Sequence, residues 1–235
     1  MRKEFGLHPA QTSALELLRR VTMARFSDML RETTLTSDTF KFHVRKLISL
    51  GYVTKNDDGL YELTIKGKDF ANRLDETTGK QIEQPKASIL LLGRSIVDGT
   101  TYYLAHKRTR EPYRNWWGIA SAPVLRGVPL AESAAREFRK QTGIDAEFHV
   151  ASTARVIDKT FQGDVLEDKI FSLMIADIDA TPQPHEWQGG ESIWMTREEI
   201  LQLSPLFPTT ARTFDRLDHG TMFAEDICEY SASDY

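Results

Sequence analysis

The chain has 235 residues, long enough for two domains that each bury a core of their own. Hydrophobic residues make up 40% and charged residues 27%, an ordinary globular composition, and no apolar run approaches the ~20 residues that cross a bilayer, which excludes a helical membrane protein. The net charge of −4 hides an asymmetry: residues 1–80 hold 14 Lys and Arg against 11 Asp and Glu, and the remainder holds 16 against 23, so a mildly basic part suited to a polyanion precedes an acidic part.

Cys228 is the only cysteine, which excludes an intrachain disulfide and a thiolate metal cage built from one chain. Residues 1–8 are charged and lack the apolar stretch of a secretion signal, so a cytoplasmic location is expected. The six histidines are scattered with no pair at helical spacing, no phosphate-binding glycine loop is present, and no G-x-S-x-G elbow occurs, so zinc, P-loop and esterase chemistry have no support.

In chain order, Ala10, Ala14, Leu17, Leu18 and Val21 recur at helical spacing after Pro9 and predict a first helix. Phe26, Met29 and Leu30 mark a short second one. Thr36 can cap a third, with Phe40, Val44, Leu47 and Ile48 on one face and Gly51 as its stop. Two β-prone runs, Tyr52–Lys55 and Leu60–Thr64, flank the turn-rich Asn56-Asp57-Asp58-Gly59 and read as a hairpin.

Three helices and a hairpin, with "SDTFKFHVRKLISLGYVTKNDDGLYELTIKG" at their heart, resemble the winged-helix family of DNA-binding domains over residues 9–74. The third helix then becomes the reading element. Its outward face is expected to present Ser37, Thr39, Phe42, His43 and Lys46, with Lys41 and Arg45 on the flanks, to a major groove. Lys55 on the hairpin, with Lys66 and Lys68 beyond it, would hold phosphates. A solvated basic face or a protein-docking role is the alternative, and Phe42 suits a dimer or interdomain contact as well as a thymine methyl.

Residues 76–86 are polar, include Gly79 and Pro85, and read as a linker. Beyond them, strands are expected at Ala87–Leu92, Thr101–His106, Lys169–Ile178 and Ser192–Met195, and helices at Leu130–Gln141 and Arg197–Leu203. That is an α+β or α/β domain over residues 87–220, followed by an acidic tail, residues 221–235, expected to fray.

Trp117–Ile144, "WGIASAPVLRGVPLAESAAREFRKQTGI", resembles the Nudix box, G-x5-E-x7-R-E-U-x-E-E-x-G-U with U bulky and apolar. Arg136-Glu137-Phe138 and Gly143-Ile144 anchor the match without a gap, and "GGESIWMTREEI" extends it. Ala122 then stands where the family has its first glycine, Val128 where it has its first glutamate, and Lys140-Gln141 where it has paired glutamates. The resemblance implies an α/β/α sandwich with a mixed sheet. In the family, helix carboxylates hold magnesium at a diphosphate; here Glu137 alone remains, and Lys140, three residues on, can pair with it in the metal's place.

The whole is therefore expected to be a winged helix-turn-helix fused to a Nudix-like domain: a regulator that binds double-stranded DNA, acts as a homodimer, and senses a small phosphorylated metabolite of nucleotide-sugar or ADP-ribose type. Arg108, Arg110, Trp117, Arg136, Glu137, Lys140 and Gln141 are the expected ligand contacts, with no catalytic residue and no metal. The alternatives are a hydrolase that recruits magnesium through Glu132, Glu167, Asp168 or Glu191, and a ligand-free interaction module.

Overall fold

The computed structural model describes residues 7–75, 78, 80–179 and 185–235, and its contacts divide the chain into two units, Met1–Glu83 and Gln84–Tyr235. In the first unit, helix α1 (Pro9–Arg20) starts on a reciprocal cap. The His8 ring accepts from the Ala10 N–H at 3.2 Å, and the Gln11 side chain accepts from the His8 N–H at 3.0 Å. Helix α2 (Phe26–Arg31) and helix α3 (Ser37–Ser49) follow, and Gly51 at φ +73° turns the chain out of α3.

Strands β1 (Val53–Lys55) and β2 (Tyr61–Leu63) pair antiparallel, Val53 opposite Leu63, as the hairpin pattern predicts. Helix α4 (Ile65–Ala71) was not expected. Thr64 caps it by accepting from the Gly67 N–H at 3.0 Å while donating to the Gly51 carbonyl at 2.6 Å. Leu15, Leu18, Met29, Phe40, Val44, Leu47, Val53 and Ala71 form one buried cluster, so all four helices and the hairpin share a core. Of the expected linker, residues 76, 77 and 79 lie outside the described residues. Near them the chain folds back, with the Ile82 N–H donating to the Arg73 carbonyl at 2.8 Å.

The second unit is built on an eight-stranded mixed sheet: β3 (Lys86–Val97), β4 (Thr100–Arg108), β5 (Trp117–Pro123), β6 (His149–Thr160), β7 (Val165–Asp177), β8 (His185–Trp187), β9 (Gly190–Met195) and β10 (Phe223–Tyr230). Their spatial order is β10-β6-β7-β3-β5-β4-β9-β8, with β3 parallel to β7 and β10 parallel to β6. Alternation along β3 sorts the two faces. Ile89 and Leu91 pack with Phe138 of helix α5 (Leu130–Thr142), whereas Leu90 and Leu92 pack with Ile200 of helix α6 (Arg197–Leu201) and Phe214 of helix α7 (Pro208–His219). The result is helix on sheet on helix.

The expected acidic tail is corrected by β10. Residues 223–230 pair with β6 over their whole length and bury Asp226, Cys228 and Tyr230, while Glu225 and Glu229 alternate outward. The acidic composition belongs to one face of an edge strand. Among the described residues no helix is long and apolar enough to cross a membrane.

Candidate functional site

On α3, Phe40, Val44 and Leu47 are buried, which turns Ser37, Thr39, Lys41, Phe42, Arg45 and Lys46 to solvent, with Phe42 64% exposed. His43 is a correction: at ~100° per residue it stands about 60° from Phe40, on the flank of the inward face. It is buried, its ring stacks on His8 with centroids 4.1 Å apart, and its carbonyl accepts from the Gln11 side chain. Lys55 is exposed above the Tyr61 ring. Lys66 is tied down, donating to the Leu50 carbonyl at 2.7 Å and lying over Tyr52, so it finishes α3.

In the second unit the structure splits the expected ligand contacts into three places. On the α5 side, Glu137 is buried and sits between two exposed cations, Arg136 at 3.4 Å and Lys140 at 3.6 Å. Lys140 and Arg110 both lie over the ring of Trp187, at 5.6 and 5.8 Å from its centroid. Gln141 is buried beside them on α5, and its Oε1 has no partner. Trp117 packs instead into the core under α6 and α7, with Lys107 over its ring. Arg108 belongs to a cavity on the α7 side.

The rescuing carboxylates do not come to Glu137. Glu167 pairs with Lys86 and Lys169, Asp168 with Arg155, Glu191 with Lys107, and Glu132 is exposed in the first turn of α5. Among the described residues no three His, Cys, Asp or Glu side chains gather as a metal site.

The cavity measures about 80 Å³ and lies between the sheet and α7. Its floor comes from strand positions whose inward residues are small or polar, Ser121 of β5 and Ser152, Ala154, Val156 and Asp158 of β6. Its walls include Phe171, Phe207, Thr210, Arg216 and Tyr230. The loop before β5 supplies Tyr113, held at φ +62°, a region L-residues seldom occupy. Tyr113 donates to Asp158 Oδ2 at 3.0 Å and packs edge-on against Trp116 and Phe207.

Two charged groups in this cavity are poorly answered. Asp158 is 7% exposed and its Oδ1 has no partner, and burial raises its carboxyl above the usual range despite the Tyr113 hydroxyl and nearby Lys169. Arg108 donates from Nε to the Pro112 carbonyl at 2.8 Å; burial, and then neighbouring Arg110, holds its guanidinium below its usual value. His106, its ring against Gly190, is lowered to about 4 by burial first and then by Arg108 and Arg110. Sequence reasoning missed Tyr113, Asp158, Lys169, Arg216 and Tyr230. The one local signal was the inward face of β6, whose run of Ser, Ala, Val and Asp leaves room that a core strand would fill.

No protein-family model matches the chain, and no curated protein matches it. Solved structures similar to it include the NUDIX domain of Shewanella oneidensis NrtR, complexed with ADP ribose, at 12% identity and TM-score 0.49, covering 67% of this chain and 98% of that one. A mutator MutT protein from Bacillus halodurans is similar at 16% identity and TM-score 0.49, covering 64% and 93%. A MutT NUDIX hydrolase from Burkholderia pseudomallei is similar at 22% identity and TM-score 0.46, covering 57% and 99%.

Proposed function

We propose that the chain is a DNA-binding regulator whose first unit is a winged helix and whose second unit, of Nudix type, binds a small anionic metabolite without hydrolysing it. The observation that carries the reading is the outward face of α3. Thr39, Lys41, Phe42, Arg45 and Lys46 are all exposed there on a helix held by a full core, which suits insertion into a major groove with cations at the phosphates. Lys55 extends the cationic surface on the hairpin. A single such helix gains affinity by acting on two half-sites, so a homodimer is part of the proposal.

The loss of hydrolysis follows from Glu137. A divalent ion in the resembled family needs several convergent carboxylates, and here the remaining one is neutralised by Arg136 and Lys140, cations that repel a metal. The residues therefore do not fit magnesium. Arg110 and Lys140, both over the Trp187 ring, together with the exposed Arg136 on α5 would serve a phosphate-bearing ligand on the α5 side.

The test is incubation of the full chain with magnesium and ADP-ribose, nucleotide sugars or dinucleotides. No turnover is expected. Magnesium-dependent turnover abolished by Glu137→Gln would establish the hydrolase reading instead.

A further inference from the structure

We infer that the cavity between the sheet and α7 is a ligand site of its own, separate from the α5 face, and that it takes a small hydroxylated carboxylate, a hydroxy acid of about five to eight non-hydrogen atoms. The inference deepens the sensor reading and rests on it only for the consequence at DNA.

Size comes first. A water needs about 10–15 Å³ of such space, so 80 Å³ accommodates about five to eight water-sized groups. A hydroxy acid of three carbons fits, whereas a sugar or a nucleoside diphosphate derivative is too large to be enclosed.

Charge comes next. Glu167 is shared by Lys86 and Lys169, and Asp226 is shared by Arg212 and Arg216, so each carboxylate leaves one positive charge in excess. Arg108 adds a third cation, and Asp158 opposes it. The wall is net positive and calls for an anion.

Asp158 then selects among anions. Asp158 lines the cavity and its Oδ1 is buried and unpartnered, so a ligand that donates a hydrogen bond to this carboxyl answers it. A phosphate dianion offers only acceptors and would set like charge against the carboxylate. A hydroxy acid answers both ends: its carboxylate accepts from the cations and its hydroxyls donate to Asp158 and exchange bonds with Ser121, Ser152 and Thr210. Phe171, Phe207 and Tyr230 offer apolar faces to its C–H groups.

The experiment is calorimetric titration of the full chain with D-glycerate and L-lactate, beside glycerol, inorganic phosphate and ADP-ribose, without magnesium. A hydroxy acid is expected to bind saturably, and to weaken about tenfold or more in Asp158→Asn, which keeps the acceptor for Tyr113, and in Arg108→Gln. Ser152→Val, which narrows the cavity without touching a charge, weakens it as well. No heat from either hydroxy acid at millimolar concentration, or binding unchanged in all three variants, overturns the inference. Binding of glycerol, phosphate or ADP-ribose in their place overturns the ligand class and leaves a sensor standing. The sensor reading fails separately if a bound ligand leaves the affinity for DNA unchanged.

Discussion

At the residue scale, His106 shows how burial, aided by neighbouring cations, fixes a charge state. Desolvation with two nearby arginines lowers it from 6.5 to about 4, so the folded protein holds the ring neutral where the unfolded chain takes up a proton. The unfolded state therefore binds more protons between those values, and stability present above pH 6.5 is lost as the pH falls toward 4. The contribution is about 3 kcal/mol at most. Denaturant unfolding at a series of pH values should show His106→Gln with a shallower decline than the parent over that window; parallel profiles would refute the assignment. Glu137 behaves differently. Buried between the exposed cations Arg136 and Lys140, it keeps Arg136 at 3.4 Å when Lys140 is removed, so Lys140→Ala should lower the melting temperature modestly, and less than loss of both cations, which strands a buried carboxylate.

At the element scale, α4 depends on a residue with no side chain. A Cβ at Gly67 would lie 1.8 Å from the Tyr52 carbonyl oxygen, so helix and hairpin base have to separate if it is added. Gly67→Ala should cost about 1–3 kcal/mol in the first unit, read by denaturant unfolding. Phe40→Ala, in the same core as α4 and fully buried, should cost about 3–5 kcal/mol.

These elements also show what the sequence carried. The apolar spacing of Phe40, Val44 and Leu47 placed α3, and Asn56–Gly59 placed the hairpin, because local periodicity and turn chemistry suffice there. His43 was misplaced because a histidine on the flank of an apolar stripe is chemically at home on either side. β10 was missed because its outward glutamates dominate the composition while its inward Asp226, Cys228 and Tyr230 meet α7 and β6 only in the fold. The cavity was illegible for the same reason: Arg108, Asp158 and Arg216 come from β4, β6 and α7 and meet through sheet topology rather than spacing.

At the scale of the whole molecule, the two units divide the proposed work. One carries an exposed cationic helix face, the other a cavity with Arg108, Asp158, Lys169 and Arg216 in its lining, and regulation requires that the ligand bind two states of the chain with different affinity. On duplex DNA, Arg45→Ala and Lys46→Ala should each weaken binding across sequences and reduce the salt slope by about one where they contact phosphate. A double mutant with an unchanged slope would place these side chains off the backbone. The most direct measurement is selection of genomic fragments by the full chain at low salt, followed by fluorescence anisotropy of the enriched duplex with the parent and with the Lys41→Ala, Arg45→Ala, Lys46→Ala triple variant. The proposal predicts an enriched sequence bound tightly by the parent and poorly by the triple variant. No enrichment, or equal binding by both proteins, would contradict it and leave α3 as a surface for some other partner.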